Sequence, residues 1–366
     1  MNILNVTTIT EWRGGDKQMY TIYKLLENNP DIKQFILCPE KSVLAKMCKE
    51  DNSAYFTYTK NKLKLVNATR AIVNICKKEK IGVIHLHDSS SLNAAILALP
   101  FIPKSVKLVF SRKRDNPIKD KFLNRKKYTH PRIVKIVSVS KAVEAIFYNV
   151  VKDRSRLLTI YDAIDVNKYA SKTNKQLLHT EYNLDANVKI IGNIAGLTKQ
   201  KDIFTFVDTA KKIIDTKPDE LRLKFIVIGA GEDKEGLDTY TKELGLENDI
   251  LFAGFRTNAD ELLPEFDVFL MTSISEGLPL TIYEAFASRI PVVSTDAGGI
   301  REVLVTGKTG ILADIKDSDA LAKGVLKIIK DHDFADMLRE NAYQLVKNSH
   351  DLDVIKQNYI AFYKSL

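Results

Sequence analysis

The stretch VFLMTSISEGLPLTIYEAFASRIPVVST, residues 268–295, decides the predicted fold because it contains a complete strand–helix–strand unit. An apolar run, VFLMTS, leads into a loop with Glu276 and Gly277, and Pro279 marks the expected first turn of a helix. The helix is expected to continue past Glu284, and a second apolar run, IPVVST, follows it. Apolar runs without polar alternation are typical of parallel strands that are buried on both faces.

The same alternation of short apolar runs and amphipathic segments extends along the whole chain. Strand–helix alternation of this kind predicts doubly wound α/β sheets. A polar stretch without clear periodicity, residues 166–185, is the expected linker between two such regions. We therefore predict an α/β protein with two Rossmann-like domains, residues 1–165 and 186–345, that face a central cleft. In such sheets, ligands bind beyond the carboxyl ends of the strands.

The composition is that of an ordinary globular protein. Of the 366 residues, 45% are hydrophobic and 28% are charged, which excludes wholesale disorder, a collagen-like fibre and a small disulfide scaffold. The three cysteines have no metal-binding or redox spacing, which indicates reduced thiols. An uncharged run, residues 89–103, is shorter than the ~20 apolar residues of a membrane-spanning helix. The initial MNILNVTTIT predicts a strand and not a signal peptide, so we expect a cytoplasmic protein.

The charge is distributed unevenly between the two halves. Residues 1–170 contain 31 basic and 15 acidic residues, whereas the remainder contains 24 basic and 31 acidic residues. Halves of opposite sign indicate domains with different partners.

Part of the positive charge is concentrated in a basic block, residues 112–132, with nine basic and two acidic residues. This block has three interpretations: a solvated face, attachment to an anionic membrane surface at the inner face of the membrane, or binding of a phosphorylated acceptor through Arg112 and Arg114. No nucleic-acid recognition motif accompanies it, so we expect no nucleic-acid partner.

Two glutamates at the loop-to-helix junction form the most informative candidate site. Glu276 precedes the predicted helix and Glu284 lies on it, while the amides of Leu280 and Thr281 are expected to point toward the cleft. An anion site flanked by two hydrogen-bond acceptors suits the diphosphate and hydroxyls of a sugar nucleotide. The alternative is that both glutamates are helix-start acids on a solvated surface.

Several motifs together resemble the family 4 retaining glycosyltransferases of the GT-B fold, over nearly the full chain. They are the paired glutamates, TDAGGIREVLVTGKTGIL, FIVIGAGEDKEGL, ILFAGF, TIYDAIDVNKY, GGDKQM and VIHLHDS. The resemblance implies an acceptor-binding domain over residues 1–165, a nucleotide-sugar donor domain over 186–345, and a final helix within 346–366 that packs back on the first domain.

The resemblance also implies roles for individual residues. His87, Glu276 and Lys201 would form the catalytic set: His87 and Glu276 beside the reacting sugar, and Lys201 on the diphosphate leaving group. Glu284 would bind the ribose hydroxyls. The remaining donor-binding positions would be Gly15, Gly196, Gly229, Phe255, Arg256, Gly277, Leu278, Pro279, Leu280 and Thr281.

This chain departs from the family pattern at a few positions. The family often has an arginine at the position of Gly196, and Lys199 or Arg13 are the candidates for a replacement cation. Asp162 and Ala163 stand where the family usually has Asn-Gly. Arg289 stands where it usually has glycine, and we expect this turn change to be tolerated.

The implied reaction is retaining transfer of a hexosyl or N-acetylhexosaminyl group from a UDP-sugar, or a GDP-sugar as second choice, to a glycan or lipid-linked acceptor in bacterial polysaccharide or lipopolysaccharide biosynthesis. Negative charge would develop on the leaving phosphate, which favours cationic and amide groups in the site. The alternatives are a sugar-nucleotide epimerase or phosphorylase of the same fold, and a silent glycan-binding or scaffold protein.

Other signals favour structural roles. Three DxD tripeptides, at residues 317–319, 331–333 and 351–353, are expected to cap helices, and we predict neither a metal nor any other cofactor. GAGEDKEG lacks the third glycine of a dinucleotide site. His85 and His87 are expected to point to opposite faces of their strand end, with His85 in a structural role.

Overall fold

The computed structural model describes residues 1–12 and 14–366. Two compact units are present. The first comprises Met1–Ala163 and Leu352–Leu366, and the second comprises Ile164–Asp351.

Each unit is built on one parallel sheet, with seven strands in the first unit and six in the second among the described residues. The strand order is β3-β2-β1-β4-β5-β6-β7 in the first sheet and β10-β9-β8-β11-β12-β13 in the second. The strands are β1 (Asn2–Val6), β2 (Lys33–Pro39), β3 (Tyr55–Tyr58), β4 (Val83–Leu86), β5 (Lys107–Arg112), β6 (Ile133–Ser138), β7 (Leu157–Thr159), β8 (Lys189–Ile194), β9 (Leu223–Ile228), β10 (Ile250–Gly254), β11 (Val268–Met271), β12 (Val292–Thr295) and β13 (Ile311–Ala313). The predicted fold class, two Rossmann-like α/β domains, is confirmed.

Amphipathic helices connect the strands and cover the sheets, since an apolar strand must be buried on both faces. The helices are α1 (Gly14–Leu26), α2 (Val43–Glu50), α3 (Lys64–Glu79), α4 (Ser89–Ala98), α5 (Phe122–Tyr128), α6 (Lys141–Ala145), α7 (Val166–Ala170), α8 (Leu177–Glu181), α9 (Ile203–Thr216), α10 (Lys234–Glu243), α11 (Ala259–Leu262), α12 (Leu280–Ala287), α13 (Ser318–Lys330), α14 (His332–Ser349) and α15 (Leu352–Lys364).

The core of the first unit has two layers because side chains alternate across the strands. Leu4 and Ile84 pack under α3 and α4, whereas Ile3 and Val83 contribute to the opposite layer. The opposite layer also contains Ile355, Tyr359, Phe362 and Tyr363. Helix α15 therefore belongs to the first unit, and its buried face completes one side of the first sheet.

The segment expected to be a linker lies inside the second unit and is partly helical. Its N-terminal helix, α7, packs against α12. In α8, the backbone N–H groups of Leu177 and Leu178 donate to the two carboxylate oxygens of Glu265, at 2.6 and 2.8 Å. Residues 166–185 have few apolar side chains, and hydrogen bonds supply several of their tertiary contacts, so the hydrophobic pattern did not indicate packing.

All three cysteines are buried and free. Burial raises the pKa of the Cys38 thiol to about 11 and those of Cys48 and Cys76 to about 12. Within the part of the chain that the structure describes, no helix combines the length and the apolar character needed to cross a membrane.

Replacement by alanine is expected to have opposite effects on the free energy of unfolding at Gly192 and at Gly236. A Cβ at Gly192 in β8 would lie 2.2 Å from the buried Phe266 ring, whereas a Cβ at Gly236 in α10 would lie 3.4 Å from Phe204. Gly192→Ala is expected to lower the free energy of unfolding by about 1–3 kcal/mol through overpacking. Gly236→Ala is expected to raise it by about 1 kcal/mol through helix propensity. Denaturant titration measures both, and wild-type stability of Gly192→Ala would contradict the packing.

Candidate active site

Hydrogen bonds join two loops at the carboxyl ends of β8 and β11 in the second unit. The Thr272 hydroxyl donates to the backbone carbonyl of Asp202 at 2.9 Å. The Ile274 N–H donates to the carbonyl of Gln200 at 2.9 Å, and the Gln200 side chain donates to the carbonyl of Ser275 at 2.6 Å. These strands are neighbours in the sheet, so the loops that follow them emerge side by side.

This junction brings together Lys201 and Glu276, two residues of the expected catalytic set. Lys201 Nζ lies 2.6 Å from Glu276 Oε1, and the Lys201 side chain is a quarter exposed while Glu276 is 6% exposed. Gly299 supports the loop by donating its N–H to the carbonyls of Glu276 and Gly277, at 3.4 and 3.2 Å. The site thus presents an ammonium group held by a buried carboxylate.

Helix α12 begins one residue later than predicted. Pro279 has extended backbone angles (φ −76°, ψ 132°) and is the N-cap, so the first helical residue is Leu280 and not Pro279. Within residues 1–12 and 14–366, no side-chain hydrogen bond caps this helix end. The N–H groups of Leu280 and Thr281 lie in the first turn, where a helix leaves backbone donors without intrahelical acceptors. Leu278, directly before the cap, is buried.

Glu284 lies half-buried on α12 and is hydrogen-bonded to a residue that the sequence did not identify. The Tyr169 hydroxyl donates to Glu284 Oε1 at 2.8 Å, and Tyr169 is 3% exposed. Burial, together with the nearby Glu284 charge, raises the pKa of Tyr169 far above its ordinary value. The only sequence signal was the motif TIYDAIDVNKY, whose last residue is Tyr169.

The glycine turn after β9 packs closely on the loop after β8. Gly229 has φ +154°, and a Cβ there would lie 1.8 Å from the Ala195 carbonyl oxygen. Gly196 is different, because a Cβ there would lie 3.7 Å from the nearest atom, the carbonyl oxygen of Ala230. The structure therefore requires glycine at 229 but not at 196.

Phe255 and Arg256, two donor-binding positions that the family resemblance places beside the nucleotide base, follow β10. Gly229 donates its N–H to the Gly254 carbonyl at 2.9 Å, which places the start of this loop beside the glycine turn. Phe255 is 75% exposed. Arg256 is not free: its guanidinium donates to the Glu181 carboxylate and to the Tyr182 hydroxyl, both supplied by α8 and the residue after it. Lys199 is exposed. Arg13, the other suggested cation, lies outside the described residues.

In the first unit, the two histidines share one side of the sheet. The prediction that they point to opposite faces is wrong, since residues two apart on a strand share a face. The His85 and His87 rings stack with centroids 4.3 Å apart. His85 is fully buried between the Ser111 and Tyr363 hydroxyls, each 2.7 Å from a ring nitrogen.

His87 makes one side-chain hydrogen bond and keeps one orphan nitrogen. Its Nε2 lies 3.1 Å from Asn5 Oδ1, while its buried Nδ1 has no hydrogen-bond partner among the described residues. Burial and the nearby Lys113 charge lower the pKa of His85 to about 3. Burial, His85 and Lys113 lower the pKa of His87 well below its ordinary value. Both rings are therefore neutral at pH 7.

The other predicted first-unit residues lie around Lys113. Gly15 is in the first turn of α1, and a Cβ there would lie 3.5 Å from Lys113 Cγ. Arg112 donates to the carbonyls of Arg114 and Asn116, both at 2.9 Å, so its side chain braces the loop after β5. Arg114 is exposed.

The DxD tripeptides have structural partners. Asp317 and Asp331 cap α13 and α14 by accepting the N–H groups of Ala320 and Phe334, at 2.9 and 3.0 Å. Asp351 instead accepts the Val166 N–H at 3.2 Å. Among residues 1–12 and 14–366, no group of three or more His, Cys, Asp or Glu side chains is arranged to hold a metal ion. Metal independence itself stays a prediction.

The chain is similar to known glycosyltransferases in sequence and in fold. Residues 174–345 match the family model of glycosyl transferases group 1. The chain is 28% identical over 266 residues to N-acetyl-alpha-D-glucosaminyl L-malate synthase from Bacillus anthracis, covering 71% of this chain and 68% of that protein. It is 23% identical over 322 residues to UDP-Gal:alpha-D-GlcNAc-diphosphoundecaprenol alpha-1,3-galactosyltransferase from Escherichia coli, covering 84% and 82%.

The chain is a glycosyltransferase with a group 1 domain. Its fold matches that of Anabaena Alr3699/HepE, solved in complex with UDP and glucose, with a TM-score of 0.85 and 19% identity over the whole of both chains. The glycosyltransferase is thus of the GT-B fold class. An epimerase, a phosphorylase or a silent binding protein is not favoured.

The buried His85 predicts an acid-sensitive glycosyltransferase. Folding keeps this ring neutral, so the unfolded chain binds an additional proton as pH falls below about 6.5, and stability is lost down to the folded pKa of about 3. At pH 5 the expected loss from His85 is about 2 kcal/mol relative to pH 7.5.

Urea unfolding at the two pH values measures this loss, and His85→Asn is expected to reduce the difference. His332→Asn is the control, because His332 is exposed at the start of α14. An unchanged pH difference in His85→Asn would contradict the assignment.

Proposed function

We propose that this enzyme transfers a sugar, with retention and without a metal, from a nucleotide-sugar donor to a glycan or lipid-linked acceptor in bacterial cell-surface polysaccharide or lipopolysaccharide biosynthesis. The favoured donor is a UDP-sugar that carries a hexosyl or N-acetylhexosaminyl group, and a GDP-sugar is the second choice. The observation that carries this proposal is the Lys201–Glu276 pair beside the start of α12.

The chemistry follows from where charge develops. The bond between the anomeric carbon and the diphosphate oxygen breaks, and the electron pair leaves with the diphosphate. Lys201 and the amides of Leu280 and Thr281 supply positive charge and donors for that leaving group. When the Lys201 ammonium binds the diphosphate, it exchanges the Glu276 carboxylate for another anionic partner.

Glu276 serves a positioning role in this proposal and is not a nucleophile. Its carboxylate is buried and engaged with Lys201. It orients that cation and accepts hydrogen bonds from hydroxyls of the donor sugar. The acceptor hydroxyl attacks on the face from which the diphosphate departs, and a leaving phosphate oxygen takes its proton, so the new bond retains the anomeric configuration.

The relatives support the donor and acceptor classes. The Escherichia coli relative is named for UDP-galactose and a diphosphoundecaprenol-linked sugar, and the Anabaena structure contains UDP. These names favour UDP and a lipid-linked acceptor for this chain.

An anionic membrane surface is the third partner that we propose, through the basic block. Phe122 and Leu123, at the start of α5, are 77% and 75% exposed. Three exposed lysines, Lys119, Lys121 and Lys126, surround them in sequence. Two apolar side chains among cations suit the boundary between acyl chains and anionic headgroups.

The donor site is tested by nucleotide binding. Thermal unfolding is measured with UDP, GDP, ADP, CMP and NAD for wild type and Glu284→Ala. A nucleoside diphosphate at ~100 times its Kd is expected to stabilise wild type by about 2.7 kcal/mol, a shift of several degrees. The shift is expected to be largely lost in Glu284→Ala, because the ribose hydroxyls lose their acceptor and the nucleotide binds more weakly.

Glu261→Ala, an exposed glutamate on α11, is the matched control and is expected to keep the wild-type shift. Absence of any nucleotide effect on wild type would overturn the donor assignment. If a nucleotide binds wild type, its base selects the sugar donors for transfer assays. NMR of the transfer product determines the anomeric configuration.

The membrane surface is tested with vesicles containing 30% phosphatidylglycerol. Replacing Phe122 and Leu123 by serine is expected to weaken partitioning about thirtyfold, since the two buried apolar side chains together contribute on the order of 2 kcal/mol. Phe101→Ser is the control, because Phe101 is 64% exposed on the same unit but outside the basic block. Two results together would exclude this surface: unchanged binding when Phe122 and Leu123 are replaced by serine, and unchanged binding when the three lysines are replaced by glutamate.

A further inference from the structure

Helix α7 holds a side chain that touches the expected ribose-binding carboxylate. Tyr169 is buried, and its hydroxyl donates to Glu284 Oε1 across 115 residues of sequence. We infer that Tyr169 is a positioning residue, which fixes the Glu284 carboxylate for the ribose hydroxyls of a bound nucleoside diphosphate. This inference rests on the proposed function of Glu284 and goes beyond it.

The position of Tyr169 is itself fixed by charged neighbours. Lys168 and Lys172, on either side of it in sequence, both bind Asp260 Oδ2, at 2.9 and 2.8 Å. Their ammonium groups also lie 5.5 and 5.9 Å from the Tyr169 ring centroid. Burial alone would raise the pKa of Asp260, but the two lysines outweigh it and hold that pKa at about 2. Asp260 is therefore ionised at neutral pH, and its ion pairs hold both lysines beside the Tyr169 ring.

The chemistry of a carboxylate explains what this contact does. A glutamate side chain rotates about its terminal bond, and its two oxygens together have about four acceptor positions. A donor fixed on one oxygen selects the rotation of the carboxylate plane before any ligand arrives. A vicinal diol such as ribose needs two acceptor positions at a defined orientation, so this selection lowers the entropic cost of binding.

The same segment also contacts Arg256, a second residue that is predicted to bind the nucleotide-sugar donor. Glu181 and Tyr182, twelve and thirteen residues after Tyr169, accept hydrogen bonds from the Arg256 guanidinium. One stretch of chain, α7 to Tyr182, thus orients a side chain expected at the ribose and another expected at the base. No comparable contact was expected from the sequence, which predicted a linker here.

The test uses Tyr169→Phe, which removes one oxygen atom and keeps the buried ring. Calorimetry gives the Kd of UDP and of 2′,3′-dideoxy-UDP, or of the corresponding pair for whichever base binds wild type. The ratio of the two constants measures how strongly the site prefers the ribose hydroxyls. That ratio is expected to fall about fivefold in Tyr169→Phe and to be lost in Glu284→Ala. In a Glu284→Ala background, Tyr169→Phe is expected to change it no further.

Tyr240→Phe is the matched control in the same unit. The Tyr240 hydroxyl also donates to a carboxylate, Asp208 Oδ1 at 2.6 Å, but on helices that contribute no predicted site residue. It is expected to keep the wild-type ratio. A merely structural role for Tyr169 would lower the unfolding temperature without changing the hydroxyl preference.

The outcomes separate this inference from the proposed function. Wild type that prefers UDP over the dideoxy nucleotide, with the same ratio in Tyr169→Phe, would overturn the positioning role and leave the donor site intact. Wild type that binds no nucleoside diphosphate would overturn the proposed function itself. A reduced ratio in Tyr169→Phe alone, with Tyr240→Phe unchanged, supports the role stated here.

Discussion

The hydroxyl of Thr272 and the carbonyls of Lys201 and Asp202 form the contact on which the candidate active site depends. It joins the loops that follow two neighbouring strands, and one backbone and one side-chain hydrogen bond extend the junction. Together these hydrogen bonds hold the loops that bring Lys201 and Glu276, 75 residues apart in sequence, to a distance of 2.6 Å. A parallel sheet supplies the proximity, and a few hydrogen bonds turn proximity into a defined geometry.

Much of the fold was predictable because it depends on local pattern. Uncharged strand runs and amphipathic helices predicted two parallel α/β sheets, and the paired glutamates marked the loop-to-helix junction where a site residue and its cation meet. The predicted start of α12 was wrong by one residue, because proline is tolerated at the N-cap as well as in the first turn. His85 stacks on His87 because residues two apart on a strand lie on the same face of the sheet.

What the sequence could not give are contacts that only tertiary structure creates. Residues 166–185 have few apolar side chains, and they are held by Glu265, Asp260 and Arg256, none of which is near them in sequence. The partner of Glu284 was missed for the same reason. Hydrogen-bonded packing leaves no periodic signal, so a polar segment with buried partners has the same pattern as a linker.

The placement of Tyr169 has a consequence for chimeras built from this chain and a relative. The group 1 family match begins at residue 174, after α7, whereas the compact second unit begins at Ile164. A recombination event or a chimera joined at residue 174 would therefore separate Glu284 from its native tyrosine while preserving every residue of the matched domain. Junctions placed before Ile164 keep the pair together, so the segment that holds Glu284 and its tyrosine partner is longer than the segment that the family model matches.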